Sequence, residues 1–138
     1  MNIMNDYFDF LACVAKADNI VQPEETVLFV EMLKNMGMSS SIENKYKKIL
    51  NSDKPIDSDA IISKVAKNTN PLMLPWFIRD AFLMADADGK ISKEEIQVIK
   101  ELVIKSGITQ NKFVKIKKWG LEYVKHTQEG LKLFNILK

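Results

Sequence analysis

Apolar residues recur along this chain at the spacing of an amphipathic helix. Tyr7, Phe8, Leu11, Ala12 and Ala15 fall at positions i, i+1, i+4, i+5 and i+8, which places them on one helix face. The same pattern returns 70 residues later, at Phe77, Ile78, Ala81, Phe82 and Ala85. No stretch alternates apolar and polar residues over a useful strand length. The pattern therefore predicts an all-α protein.

Capping residues divide the rest of the chain into further helices. Pro23 suits a first helical position, and Ser92 with Glu95 three residues on is typical of a capping box. These second helices should end near Gly37 and Gly107, which suit left-handed C-caps. Third helices are predicted to follow the N-caps Ser39 and Thr109, a fourth to run from Asp57 or Ser58 to Lys67, and a last one to run from a cap at Thr127 to Leu137.

The chain contains two copies of one helical unit, related by a constant offset of 70 residues. Between residues 15 and 48, 10 of 34 positions are identical to the residues 70 positions later, and the segment 15–25 aligns with 85–95. Each half alone is too small to bury a good core. We therefore predict one domain over residues 1–138, with seven or eight helices built from two pseudo-symmetric repeats, 1–69 and 70–138.

Composition and charge narrow the function classes. The net charge of +2 does not by itself indicate nucleic acid or membrane. The lysines near the end of each copy are best interpreted as solvated helix faces, with contact to phosphate or an acidic membrane as the alternative. They are Lys45, Lys47 and Lys48 in the first copy, and Lys112, Lys115, Lys117, Lys118 and Lys125 in the second. We expect no nucleic-acid partner.

The single cysteine and the length of the apolar runs bear on the cellular compartment of the protein. Cys13 has no partner for an intrachain disulfide, which agrees with a reducing compartment. The first residues lack the features of a signal peptide, and no apolar run approaches the ~20 residues that span a bilayer. We expect a cytoplasmic protein without stable membrane insertion.

Few residues suggest catalysis. Cys13 is assigned to the core of the first helix, and the only histidine, His126, to a helix boundary beside Thr127. A Gly-rich phosphate loop, a serine nucleophile elbow and zinc-ligand spacing are all missing from the sequence. We therefore expect that the protein is not an enzyme.

Several apolar residues are assigned to the core or its edge. Trp76 and Trp119 are expected to be core or half-buried anchors. The core is predicted to contain Phe8, Leu11, Phe29, Leu33, Ile78, Phe82, Ile99 and Val103. The apolar last segment should pack on the domain, with a protein–protein surface as the alternative. That segment contains Leu131, Leu133, Phe134, Ile136 and Leu137.

The segment 84–95 partly matches a calcium-binding EF-hand loop. With Gly89 at the sharp turn, Asp86 and Asp88 take the third and fifth positions and Glu95 takes the bidentate twelfth. The first position, where such loops carry Asp, is Met84. In the first copy only Asp18 and Glu25 keep acidic side chains at these positions. The competing interpretation is a capped helix–turn–helix corner that holds no ligand.

The pattern Ala-x-Ala-Asp-Gly-x-Ile-Ser-x-Glu-Glu, at the end of one amphipathic helix and the start of another, resembles the TerB-like family of tellurite-resistance proteins. The resemblance covers 12–37 and 82–108. It implies an all-helical fold with two pseudo-symmetric halves and a link to tellurite and other stresses. It also implies an acidic patch that weakly binds a divalent cation, Ca²⁺ or Mg²⁺. The implied metal residues are Asp86, Asp88, Glu95, Asp18 and Glu25.

These observations predict a non-enzymatic TerB-like binding or scaffold module in a bacterial stress or tellurite-resistance response. Protein partners are expected but not identified, and the oligomeric state is left open. The alternative function is a calcium-responsive protein with one degenerate EF-hand-like loop.

Overall fold

The computed structural model describes residues 3–134 of the chain. Within that range it contains seven α-helices and no β-strand. The helices are α1 (Ile3–Ala15), α2 (Pro23–Asn35), α3 (Ser40–Asn51), α4 (Ser58–Asn68), α5 (Leu74–Ala85), α6 (Lys93–Lys105) and α7 (Gln110–Leu133). The predicted all-α class is confirmed.

Side-chain caps begin the helices where the sequence predicts. Ser39 Oγ, Asp57 Oδ1 and Thr109 Oγ1 each accept a hydrogen bond from the backbone N–H three residues on, at 3.3, 3.2 and 3.2 Å. Gly37 and Gly107 follow α2 and α6 with φ of 71° and 90°. Because this left-handed backbone is unfavourable for most L-residues, glycine ends both helices cleanly.

Helices α1 and α5 form the centre of the protein and are buried around most of their circumference. Helix α1 packs against α3, α4, α5 and α6, whereas α5 also packs against α2 and α7. The boundaries recur at the offset of 70: α1 and α5 end at residues 15 and 85, α2 and α6 begin at 23 and 93, and α3 and α7 begin at 40 and 110. Superposition of the complete halves stays a prediction.

The core is continuous and draws buried side chains from all seven helices. Aromatic rings meet near its middle, where the Phe8 centroid lies 5.6 Å from that of Phe29 and 5.9 Å from that of Tyr46. The eight core residues predicted from the sequence are all buried, as is Cys13. Those predictions are confirmed.

The prediction of a separate last helix is wrong. Helix α7 continues through His126 and Thr127 as far as Leu133, so neither residue lies at a helix boundary. A threonine caps a helix only where the chain turns, and here no turn occurs because Val124 and Gln128 keep α7 in contact with the rest of the protein. The predicted end at Leu137 lies outside the described residues.

The apolar end of the chain does not pack on the domain as far as it is described. Leu131 is 36% exposed, and Leu133 and Phe134 are each 81% exposed, because the end of α7 extends past its neighbours. Ile136 and Leu137 lie outside the described residues. Trp76 and Trp119 are 53% and 43% exposed, so neither belongs to the core and both are half-buried, which is the second of the two predicted alternatives.

Across residues 3–134, none of the helices has both the length and the apolar character needed to cross a membrane.

Candidate functional site

The two acidic turns have the same backbone construction. Asp18 Oδ1 and Asp88 Oδ1 each accept a hydrogen bond from the backbone N–H two residues later, at 3.1 and 3.0 Å. This is the local bond by which aspartate favours turns. Asn19 and Gly89 occupy the following position with φ of 63° and 83°. Asn19 therefore performs in the first turn the backbone role that Gly89 performs in the second.

Each turn ends in a glutamate that caps the next helix. Glu25 Oε1 accepts a bond from the backbone N–H of Gln22 at 3.0 Å, and Glu95 Oε1 accepts one from Ser92 at 2.8 Å. Ser92 Oγ in turn accepts the N–H of Glu95 at 3.1 Å, which confirms the predicted capping box. One oxygen of each carboxyl group is thereby used within its own turn.

The side chains of Glu25 and Glu95 meet where the two halves of the protein pack together. Glu25 and Glu95 are each 3% exposed, and their carboxyl groups lie close enough to form a hydrogen bond with each other. Within the described residues, no donor reaches the buried Oε2 of Glu25. Two carboxyl groups can form such a bond only if one of them holds a proton. The pair therefore requires a proton or a cation to be favourable.

Burial is the largest cause of an upward shift in the pKa of both Glu25 and Glu95. Charge repulsion between the two turns adds to this shift. Asp88 of the second turn raises the pKa of Glu25 in the first turn, and Asp18 of the first turn raises the pKa of Glu95 in the second. Each turn thus acts on the glutamate of the other turn. Asp18 and Asp88 thus act through their charges on the Glu25–Glu95 pair.

The fifth predicted residue, Asp86, is turned toward α7. Its Oδ2 accepts a hydrogen bond from Gln128 Nε2, while burial first, and Asp88 second, raise its pKa. Gln128 cannot be recognised from the sequence, because it is 42 residues away from Asp86 and no local motif marks it. Within residues 3–134, no group of three His, Cys, Asp or Glu side chains is arranged to hold a metal ion. A preformed EF-hand cage is thus not among the described residues.

Comparison with known proteins gives one family. Residues 7–118 match the family described as tellurite resistance protein TerB, and the match includes both acidic turns. The chain belongs to the TerB family. No match is found among curated proteins or among solved structures. The resemblance drawn from the turn motif is therefore confirmed for this family and its all-helical fold.

Outside the turns, the remaining candidates of this TerB chain are dispersed. Cys13 is fully buried in α1, and burial raises its pKa to about 12. The His126 side chain is 90% exposed on α7, where its Nδ1 lies 3.9 Å from Glu129 Oε2. A thiol and an imidazole placed in this way do not form a nucleophile–base pair. Among the lysines, Lys47 and Lys118 each lie within 4.0 Å of a glutamate on their own helix.

Proposed function

We propose that this TerB-family protein is a non-enzymatic binding or scaffold module in a bacterial stress or tellurite-resistance response, and that it weakly binds a divalent cation between its two acidic turns. The observation that supports this proposal is the buried Glu25–Glu95 pair, in which Oε2 of Glu25 has no donor within the described residues. The cytoplasm is its expected compartment, and its partners are expected to be proteins.

The donor set fits a hard cation. Carboxylate oxygens are the ligands that Ca²⁺ and Mg²⁺ take in proteins, and a cation between Glu25 and Glu95 would offset the cost of placing two negative charges together. Asp18 and Asp88 are near enough to add to the favourable potential. In this proposal Glu25 and Glu95 would contact the ion, Asp18 and Asp88 would strengthen the negative potential around it, and Asp86 would not take part.

The same arrangement argues for weak binding. One oxygen of each glutamate and one of each aspartate already accept a backbone hydrogen bond. Few oxygens are left, and the turns must adjust before they can surround an ion. Sites with few charged ligands bind calcium with a Kd of about 0.1–1 mM, and we expect an affinity near the weaker end of that range.

Thermal melting with and without about 10 mM Ca²⁺ or Mg²⁺ tests the proposal at neutral pH, with ionic strength held constant. At ten times Kd, binding should stabilise the wild type by about 1.4 kcal/mol. Glu25→Gln should abolish this gain, because glutamine resembles a protonated Glu25 and removes a charged ligand. Asp86→Asn should keep the gain, because Asp86 is paired with Gln128.

Glu24→Gln is the matched control, since it removes the same charge at the preceding, exposed position and should keep the gain. The calcium-responsive EF-hand alternative gives the reverse result, in which Asp86→Asn loses the gain and Glu25→Gln keeps it. An unchanged melting temperature in the wild type would reject cation binding and leave a capped, protonated carboxyl pair.

A further inference from the structure

An apolar groove lies where α4, α5, α6 and α7 meet. It has a volume of about 430 Å³, and no charged side chain is among the described residues that line it. Leu74, Pro75 and Ile78 of α5 contribute to its lining, as do Ile116 and Trp119 of α7. Cavities that receive ligands have volumes of roughly 300–1,000 Å³. The groove is therefore large enough to receive apolar groups from outside the chain.

Exposed apolar side chains continue on the surface beside the groove. Leu72, which follows the groove residue Pro71 in the chain, is 80% exposed. Trp76, which follows the groove residue Pro75, is 53% exposed, and Trp119 lines the groove and is 43% exposed. The chain has two tryptophans, and both lie here. Exposed apolar groups that lie together in this way are typical of interaction surfaces.

Arg79 holds Trp76 beside α7. Its guanidinium carbon Cζ lies 4.5 Å from the centroid of the Trp76 ring and 4.9 Å from that of Tyr123 on α7. A cation between two aromatic rings is attracted to both. The exposed tryptophan of α5 is thereby joined to the surface of α7, four residues beyond Trp119.

The groove is built from parts of the chain that carry no acidic residue. Every described residue that lines it belongs to segment 66–79 or segment 102–121. These segments contain seven lysine and arginine residues and none of the 18 aspartate and glutamate residues of the chain. The seven cations are Lys67, Arg79, Lys105, Lys112, Lys115, Lys117 and Lys118. Asp80 and Glu122, which follow the segments, each lie within 4.0 Å of a cation on their own helix.

Two of these lysines stand next to the groove on α7. Lys112 comes four residues before Ile116, and Lys115 comes four before Trp119, and residues four apart are neighbours on a helix surface. Both lysines are exposed, and neither forms an ion pair with an acidic side chain in residues 3–134. We call the groove, the exposed side chains of 71–76, and these two lysines with Trp119 the groove face.

We propose that the groove face docks this protein onto the surface of an anionic phospholipid membrane. Lysines are attracted to the negative surface of such a membrane, and tryptophan suits its boundary, where one end of the ring system is apolar and the other is wet. The uncharged groove and Leu72 would meet the apolar part of the lipids. A nucleic acid would match the lysines but would leave these apolar groups in water. Docking of this kind needs no membrane-spanning helix, and the proposal does not depend on cation binding.

Vesicle binding of the full chain tests the proposal, with tryptophan fluorescence as a readout because both tryptophans lie on the groove face. The probe vesicles are phosphatidylcholine with about one third phosphatidylglycerol, and phosphatidylcholine alone is the neutral comparison. We expect the emission to move to shorter wavelength on the anionic vesicles, because the rings leave water. Flotation should show binding at least about tenfold weaker to neutral vesicles, and binding that weakens as salt increases.

Leu72→Ser tests the apolar part of the groove face. Leu72 lies exposed in a turn, so the variant should fold, and binding should weaken about tenfold because an apolar group no longer enters the lipid. Val27→Ser is the matched control. Val27 is 64% exposed on α2, which packs against α3 and α5, and this variant should bind like wild type.

The double variant Lys112→Gln/Lys115→Gln tests the charged part. Each lysine near an anionic membrane contributes about a fivefold gain in affinity, so the loss should be about 25-fold. Lys45→Gln/Lys48→Gln removes the same charge from exposed positions on α3 and should bind like wild type. Circular dichroism shows whether each variant is folded, and the lysine variant tests the groove face independently if Leu72→Ser does not fold.

Four results would each overturn the proposal. They are no binding to anionic vesicles even at low salt, equal binding to neutral vesicles, an equal loss of affinity in the control variants, and binding without a shift in emission. The last result would show a surface that attracts any polyanion and leaves the tryptophans in water.

Discussion

The two acidic turns have the same backbone conformation. They differ at one side chain, which contacts different neighbours in the two turns. At the equivalent positions 16 and 86, the first turn carries lysine and the second carries aspartate. Lys16 is 7% exposed, and its Nζ donates to the carbonyl oxygens of Ile49, Ser52 and Lys54 at 2.9, 3.0 and 2.7 Å. Asp86 instead accepts a bond from Gln128. A repeated turn can thus keep its backbone while this side chain adapts to a different neighbour.

The neighbour differs because the third helix of each half has a different length. Helix α3 ends at Asn51, and its last carbonyl groups need donors, which Lys16 supplies. Helix α7 is 24 residues long in all, so no helix end lies at the corresponding place. It presents Gln128 to the turn, and an acceptor such as Asp86 suits that position.

The core shows a second difference between the halves, in side-chain size. Ala12 of α1 and Leu50 of α3 correspond to Phe82 of α5 and Gly120 of α7, and all four are buried. A Cβ atom on Gly120 would lie 2.2 Å from Cδ2 of Phe82. The small and large residues are therefore exchanged between the central helix and the third helix.

The largest expected effect comes from undoing this exchange. Phe82→Ala should lower the free energy of unfolding by roughly 3–5 kcal/mol, as for other buried aromatic residues. Gly120→Leu should also destabilise, by roughly 1–3 kcal/mol, because the new side chain overlaps the Phe82 ring. The double variant copies the first half and should recover about 1–3 kcal/mol relative to the sum of the single changes.

Denaturant titration of the four proteins measures this coupling. Gly130→Ala is a control in the same helix, because no atom lies within 4 Å of a Cβ placed there. It should be neutral or stabilise by up to about 1 kcal/mol. A Phe82→Ala loss below about 1 kcal/mol, or strictly additive single changes, would contradict the size exchange.

An intermediate effect is expected at positions 16 and 86. Lys16→Met should lower the free energy of unfolding by about 2 kcal/mol, because it removes a charged donor and leaves buried acceptors in its place. Asp86→Asn should change it by about 0.5 kcal/mol or less, because asparagine can still accept from Gln128. Thermal melts at one pH compare the two variants, and equal losses would show that the turns are not specialised in this way.

The smallest effect concerns the shared glutamate pair and its dependence on pH. Because burial raises the pKa of Glu25 above the ~4.3 of an unfolded glutamate, the folded state retains a proton that the unfolded state loses. This contribution to stability is complete below pH ~4.3 and is lost as pH rises through the raised pKa. We expect the free energy of unfolding to fall by roughly 1–2 kcal/mol between pH 5 and 8 in metal-free buffer.

Glu25→Gln should remove much of that decline, and Glu95→Gln should do so too if the proton is shared. Glu24→Gln, one position away and exposed, should leave the decline as in wild type. A steeper fall in the Glu25 variant than in wild type would contradict the shared proton.

Local structure could be predicted from the sequence to a large extent. The caps at Ser39, Thr109 and Ser92, and the glycines at 37 and 107, act within four residues of the helix ends that they define. The buried face of each central helix follows from its period of 3.6 residues. By contrast, the boundary at Thr127 was wrong because capping potential is realised only where tertiary contacts allow the chain to turn.

The sequence by itself determined the all-helical class, the first six helices, the core and the TerB family, because periodicity, capping and the turn motif act through neighbours in the chain. Only the tertiary structure decided which acidic residues meet. Glu25 and Glu95 are 70 residues apart and come into contact through the packing of the two halves, whereas Asp86 is drawn to Gln128 by the length of α7. The exposure of Leu133 and Phe134 was likewise decided by packing, since apolar residues of the same kind are buried in one place and left uncovered in another.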